Sequence, residues 1–178
     1  MHVMLSFRGR ERPWATEARM VLWTALALQF LLQSKDLSAM EPRTEIVLVS
    51  LLHGVNPHLA LAVAEVESGG LPESQRDRAY YRGNYGRFQI NCTTWKGVFG
   101  LKDCTELFDR HLNIRAGVAI LAHVQAVHGS RRGQPYWVAH YNEGWQLQED
   151  GPGVRYARRV VALLRRMERR AYSAWRGW

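Results

Sequence analysis

The sequence predicts a mainly α-helical protein. Apolar residues recur at helical spacing in several stretches, whereas strand-like alternation is rare and no candidate strand is followed by a convincing hairpin turn. Residues that favour helix ends, such as Asn56, Asp109 and Gly129, lie between these stretches. With 178 residues, of which 47% are hydrophobic, the chain is expected to form one domain with a sizeable core and some terminal extension.

Residues 1–42 form the predicted N-terminal extension, and residues 43–178 form the predicted domain. Glu41-Pro42 marks the boundary, since a residue before proline is disfavoured in a helix. The uncharged apolar run 20–32 is short for a membrane span and fits the core of a signal peptide, which predicts export. An uncleaved anchor and an amphipathic helix packed on the domain remain alternatives.

The domain is predicted to contain six helices in chain order. They are residues 44–53, residues 57–68, a short helix 93–95 capped by Thr93, residues 110 to about 128, residues 135–141, and residues 154 to about 175. Asn56 and Asp109 are the expected N-caps of the second and fourth. Gly69-Gly70 is expected to supply backbone angles that end the second helix. Residues 71–87 are interpreted as a polar loop, which is as often functional as idle at this length.

Three of these helices have a predicted apolar face, which in the second helix consists of Leu59, Ala62, Val63 and Val66. Leu112, Ala116, Ala119, Ile120 and Val127 lie near one side of the fourth helix. The last helix carries four apolar residues on one side and seven arginines around the other; the apolar four are Val160, Val161, Leu164 and Met167. Docking on the core with a solvated basic face is favoured, and binding to a membrane surface or to nucleic acid is the alternative.

The formal net charge of +8 comes almost entirely from arginine and favours a polyanion as partner: nucleic acid, anionic lipid or an acidic wall polymer. Cys92 and Cys104 are too few for a four-ligand zinc site, so they are either one disulfide, which export would favour, or two buried thiols. His123 and His128 are five residues apart and no His-Glu-x-x-His motif occurs. No metal and no cofactor are expected.

Glu67 is the strongest candidate for chemistry in the sequence. It falls at the end of an apolar helix, where burial of a carboxyl group raises its pKa and suits it to act as a general acid. Glu65 lies two residues earlier, about 200° around the helix, so the two carboxylates do not share a face.

Five motifs occur in order along residues 44–165. They are Gly54-Val55-Asn56-Pro57, Val66-Glu67-Ser68-Gly69, Gly86 with Phe88-Gln89-Ile90-Asn91, Asn113-Ile114 with Gly117, and Tyr141-Asn142 with Gly144. In this set the chain resembles the lytic transglycosylases, lysozyme-like enzymes that cleave peptidoglycan. It is most similar to the small type found with conjugation and secretion systems, and phage-borne relatives share the motifs.

This resemblance implies a lysozyme-like fold and a role for each matching residue. Glu67 would be the only catalytic carboxylate, acting first as acid and then as base, so that a 1,6-anhydromuramoyl end forms. The implied substrate contacts are Ser68, Gln89, Tyr141, Asn142 and Tyr156. Arg87 and Phe88 depart from the usual Leu-Met of the family's Gly-Leu-Met-Gln signature, while Asn113 and Gly117 are interpreted as structural.

The resemblance also implies partners and a location. Peptidoglycan glycan strands are the expected substrate, an envelope-spanning apparatus or a phage particle is a candidate partner, and no nucleic acid is expected. The periplasm, the cell envelope or a virion is favoured over the cytoplasm. One alternative is a hydrolytic lysozyme, which usually needs a second carboxylate such as Asp77 or Asp103. The other is a non-catalytic module that binds the cell wall or nucleic acid through the basic helix, with Glu67 only structural.

Overall fold

The computed structural model describes residues 39–129, 135–144 and 147–176. Its α-helices, numbered here in chain order, are α1 (Pro42–Leu52), α2 (Pro57–Ser68), α3 (Cys92–Phe99), α4 (Arg110–His128), α5 (Ala139–Glu143) and α6 (Pro152–Arg176). Three 3₁₀ helices cover Glu73–Arg78, Cys104–Phe108 and Pro135–Val138, and three strands are β1 (Tyr80–Tyr81), β2 (Asn84–Tyr85) and β3 (Ile90–Asn91). The prediction of a mainly α-helical domain is confirmed.

The predicted extension and its apolar run 20–32 lie outside the described residues, apart from residues 39–42. No helix within the described ranges is both long and apolar enough to cross a bilayer.

The first two helices begin at side-chain caps. Glu41 accepts a hydrogen bond from the Thr44 N–H at 3.2 Å, and Pro42 occupies the first turn, so α1 starts two residues earlier than predicted. The pair expected to mark a boundary therefore opens the first helix. The α2 cap is as predicted, because the Asn56 side chain accepts from the amides of the second and third helical residues.

Gly69 ends α2 for a different reason from the one expected. Its φ of −67° lies in the ordinary right-handed region, so no left-handed backbone is needed here. A Cβ atom at this position would overlap the backbone and side chain of Glu65. The glycine therefore allows a close approach to the preceding turn and does not supply a special backbone angle.

The segment 71–87, expected to be a loop, forms a 3₁₀ helix and two strands of a small antiparallel sheet with the order β1-β2-β3. Arg82 and Gly83 join β1 to β2 with φ values of +49° and +82°. Two consecutive left-handed residues suit a tight hairpin, but an arginine is rare in the first of them. The strands have only two residues each, so the alternating pattern that identifies a strand cannot develop.

Helices α3 and α4 each differ in one respect from the prediction: the cap and length of α3, and the buried face of α4. Asn91, and not Thr93, caps α3 by accepting from the Thr94 N–H at 3.0 Å, and α3 extends to Phe99. Helix α4 has the predicted bounds and the predicted Asp109 cap. One member of its predicted apolar face, Val127, is not buried: its side chain is 44% exposed.

Helix α2 lies at the centre of the core. Its Leu59 and Val63 are at most 2% exposed, and it packs between α1 and α6, which contributes the buried Val160. Removing such a side chain from water contributes roughly 2 kcal/mol. Core docking, the interpretation favoured for the last helix, holds for α6 as far as Leu164, its last buried residue.

Candidate active site

Glu67 lies in the last turn of α2 at the edge of a cleft of about 430 Å³. The other walls come from β2, β3, α3, α4 and α5. Burial raises the pKa of Glu67 from its ordinary value of 4.5 to about 7, while interactions with the Tyr156 hydroxyl and the Arg159 guanidinium oppose the rise. A carboxyl group with this pKa exchanges a proton readily near neutral pH, as a general acid and base requires.

Two tyrosines lie beside this carboxyl group. Tyr156 of α6 is 6% exposed, and its ring is nearly parallel to that of Tyr141, with 6.5 Å between the centroids. The Tyr141 hydroxyl donates to the Phe88 carbonyl at 2.9 Å. Burial, followed by the charge of Glu67, raises the pKa of both hydroxyls well above the usual value. Both therefore remain neutral at physiological pH and keep their O–H. The Tyr141 O–H is engaged by the Phe88 carbonyl, so Tyr156 is the donor that remains for Glu67 or a substrate.

The Tyr156 hydroxyl is buried and forms no hydrogen bond of ordinary geometry in the part of the chain that the structure describes. Its interaction with Glu67 nevertheless lowers the pKa of that carboxyl group. A small adjustment of either side chain, or a bound substrate oxygen, would satisfy this donor. Tyr156 is thus placed to stabilise negative charge on Glu67.

Gln89 also lines the cleft and has a strained backbone. Its φ of +46° is in the left-handed region, which a glutamine rarely adopts, and such strain often accompanies a functional position. The side-chain amide donates to the Gly86 carbonyl at 2.8 Å, which holds the amide group in one orientation.

Asn113 fixes the segment that carries Gln89. Its side chain is 0% exposed; it accepts from the Phe88 N–H and donates to the carbonyls of Tyr85 and Leu107, each at 2.9 Å. A buried amide with three such bonds determines the path of the backbone around it. The structural role predicted for Asn113 agrees with these contacts.

The two residues that depart from the usual signature face away from the cleft. Arg87 is 1% exposed and pairs with Glu73 at 2.7 Å and with Asp77 at 2.9 Å. Phe88 is completely buried, and a Cβ at Gly117 would overlap its ring. The two departures therefore lie in the scaffold behind Gln89 and do not line the cleft.

The structure brings four of the predicted contacts to Glu67 and not the fifth. Gln89, Tyr141 and Asn142 line the same cleft, and Tyr156 contacts the acid from α6. Ser68 is 3% exposed, does not line the cleft, and donates its hydroxyl to the Ala64 carbonyl at 3.1 Å. Its contacts fit a structural role at the end of α2, because the hydroxyl is directed to its own helix.

A family model, the transglycosylase SLT domain, matches residues 50–150. The chain belongs to this family. The match spans Glu67 and the cleft walls as far as α5, and it confirms the predicted resemblance to the lytic transglycosylases. No curated protein and no solved structure is significantly similar to the chain. Membership makes peptidoglycan the substrate class of this SLT domain.

Neither acid named as a possible second carboxylate reaches the SLT-domain cleft. Asp77 pairs with the buried Arg87, and Asp103 caps the 3₁₀ helix Cys104–Phe108. Glu143 is the acid that sequence reasoning missed: it lines the cleft, yet its carboxylate accepts from the Gly153 N–H at 2.8 Å. No motif pointed to it, apart from its place beside Asn142.

Sequence reasoning considered His123 and His128 only as metal ligands and did not predict that they line the cleft together with His140. His128 and His140 stack with 3.6 Å between ring centroids, and His123 meets Trp95 edge-on at 6.4 Å. The imidazoles come from α4 and α5, and Trp95 comes from α3, so their proximity depends on tertiary packing. Across the described ranges of the SLT domain, no group of three or more His, Cys, Asp or Glu is arranged to hold a metal ion.

Proposed function

We propose that this SLT domain is a peptidoglycan lytic transglycosylase. It cleaves the β-1,4 bond between N-acetylmuramic acid and N-acetylglucosamine and leaves a 1,6-anhydromuramoyl end. One observation carries the proposal: a single carboxyl group, Glu67, has a pKa of about 7 in a cleft where the other described acid, Glu143, already accepts a backbone hydrogen bond. One group near neutrality can both donate and accept the same proton.

The first step uses Glu67 in its protonated form. Its proton passes to the glycosidic oxygen while the bond from that oxygen to muramoyl C1 breaks, and the N-acetylglucosamine leaves with a free 4-hydroxyl. Positive charge develops at C1, where the acetamido group of the substrate can stabilise it. The Tyr156 hydroxyl then favours the carboxylate that remains on Glu67, as its effect on the pKa of Glu67 indicates.

The second step returns the proton. The Glu67 carboxylate removes the proton from the muramoyl C6 hydroxyl as that oxygen bonds to C1, which closes the anhydro ring. Glu67 is again protonated, and no water is consumed. Gln89, held by its bond to the Gly86 carbonyl, and the exposed Asn142 are positioned to bind the sugar amide and hydroxyl groups.

Hydrolysis makes a different demand on the cleft. A hydrolytic lysozyme usually uses a second carboxylate as nucleophile or to activate water. Within the described part of the cleft the only candidate is Glu143, whose bond to the Gly153 N–H occupies a carboxylate oxygen at the start of α6. This engagement supports ring closure as the outcome.

Digestion of purified peptidoglycan in water labelled with ¹⁸O separates the two reactions. Mass spectrometry should find muramoyl ends that are one water lighter than reducing ends and carry no ¹⁸O. Reducing ends that contain ¹⁸O would assign a hydrolase. Glu67→Gln should lower the rate about 10³-fold or more, because glutamine does not exchange the proton.

Glu65→Gln is the matched control for that variant. It removes a carboxylate from the same helix, but one that pairs with Arg76 outside the cleft. This variant should retain most of the activity of a folded domain. Undiminished cleavage by Glu67→Gln would show that another group is the acid.

We infer, separately, that the domain works in an oxidising compartment such as the periplasm or cell envelope. Cys92 and Cys104 form a disulfide, a bond that is rare in cytosolic proteins and persists in exported ones. Alkylation of thiols in the host, followed by mass spectrometry, should find both cysteines protected. Two alkylated cysteines in soluble protein that starts near Met1 would contradict export.

A further inference from the structure

Helix α6 continues well beyond the core that holds its first half. Leu164 is its last buried residue, and the helix ends at Arg176, so residues 165–176 extend for about 18 Å. We call these residues the α6 extension. Met167 is only partly buried, and every other side chain in the extension is exposed.

The α6 extension keeps the apolar stripe of the docked half. Met167, Ala171 and Trp175 follow Leu164 at helical spacing, so they continue the line that packs on the core earlier in the helix. Trp175 is 74% exposed and Tyr172 53% exposed, and their rings lie 6.4 Å apart. Met167 still packs against the edge of the core, whereas Ala171 and Trp175 are exposed and continue the stripe beyond it.

The opposite side of the α6 extension is strongly basic. It carries four arginines, namely Arg165, Arg166, Arg169 and Arg170. A fifth, Arg176, lies at the border of the two sides, with its guanidinium 4.9 Å from the centroid of the Tyr172 ring. Glu168 is the only acid, and its carboxylate lies 3.5 Å from the Asn56 side chain. None of the four arginines forms a salt bridge within the described residues.

We propose that the α6 extension binds the surface of an anionic phospholipid bilayer. Interfacial helices have this composition: aromatic and apolar residues on one face, arginines on the other, and a low mean hydropathy. Tyrosine and tryptophan place an apolar ring in the acyl boundary and a polar atom at the headgroups. Nucleic acid would satisfy the arginines but would leave the apolar stripe exposed, so lipid is the better match.

Co-sedimentation of the full chain with vesicles tests the proposal. Binding should be strong for vesicles of equal parts phosphatidylcholine and phosphatidylglycerol and weak for phosphatidylcholine alone. Arg166→Gln/Arg170→Gln should weaken binding to the anionic vesicles about 25-fold, since each arginine near such a surface contributes about fivefold. Tyr172→Ser/Trp175→Ser should weaken it about tenfold or more by removing the inserted rings.

Arg43→Gln/Arg115→Gln is the matched control, because it removes the same charge from exposed positions outside α6. It should bind anionic vesicles as the unaltered chain does. All variants retain residues 20–32 and should digest vesicle-free peptidoglycan at the same rate, which verifies folding. Equal vesicle binding by all variants, or an equal loss in the control, would overturn the proposal. Losses confined to binding of double-stranded DNA would assign the helix to nucleic acid instead.

Discussion

Replacing the acid should stabilise the domain, and by more as the pH rises. In the unfolded chain Glu67 ionises with an ordinary pKa of 4.5, whereas burial raises the pKa to about 7 in the folded domain. Between these values the unfolded chain loses a proton that the folded domain keeps, so the free energy of unfolding falls as the pH increases. Glu67→Gln does not ionise and escapes this loss.

The magnitude follows from the two pKa values. Their difference, from 4.5 to about 7, corresponds at about 1.4 kcal/mol per pH unit to about 3 kcal/mol once the pH exceeds 7. About 1 kcal/mol of this is already present at pH 5. Relative to the unaltered domain, Glu67→Gln should therefore gain about 2.5 kcal/mol between pH 5 and pH 8, or roughly 5–10 °C in Tm.

Urea denaturation of both proteins at pH 5, 6, 7 and 8, followed by circular dichroism, measures this gain. Glu149→Gln is the control, because Glu149 is exposed and its replacement should change stability by no more than about 0.5 kcal/mol at each pH. A stability difference between the unaltered domain and Glu67→Gln that stays constant or shrinks from pH 5 to pH 8 would refute the view that burial keeps Glu67 protonated.

Three further outcomes are expected. The kcat/KM for peptidoglycan should decline as the pH rises through about 7, where Glu67 loses its proton. Tyr156→Phe should move this decline to a pH about 1 unit higher, because it removes an interaction that lowers the pKa of Glu67. A pH–rate profile in which the decline does not move would contradict this. Reducing the Cys92–Cys104 disulfide should cost about 3 kcal/mol in urea denaturation, whereas a loss below about 1 kcal/mol would show that the bond constrains little. Asn113→Ala should lower the free energy of unfolding by about 3 kcal/mol or more and also lower kcat, since it abolishes three buried hydrogen bonds behind Gln89. An unchanged kcat in the folded variant would show that Asn113 does not position Gln89 for catalysis.

Local signals in the sequence predict much of the helical framework. Asn56 and Asp109 begin helices where expected, because an N-cap depends on contacts within one turn. The predicted rise in the pKa of Glu67 also agrees with the structure, since an apolar helix end indicates burial. Strands of two residues lack a periodic signal, and the Arg82 turn lacks the usual residues for its backbone angles.

The remaining details depend on tertiary contacts that no short window contains. The Glu143 carboxylate is held in the cleft wall by the Gly153 N–H at the start of α6. The stack of His128 on His140 likewise joins two different helices. Ser68 is the opposite case: the motif predicts a substrate contact, but Ser68 does not line the cleft. A motif placed it beside the acid, but adjacent helical residues point in different directions, and its hydroxyl is directed to Ala64.

The position of Tyr156 has a consequence for the biosynthesis of the enzyme. The family match ends at residue 150, yet α6 supplies much of the packing around α2 and the hydroxyl that contacts Glu67. A nascent chain that has not yet released α6 from the ribosome leaves α2 without this cover. Glu67 is then hydrated and retains the pKa of an ordinary glutamate, so it is ionised and cannot donate a proton. We therefore expect Glu67 to become a proton donor at neutral pH only after this last helix has docked.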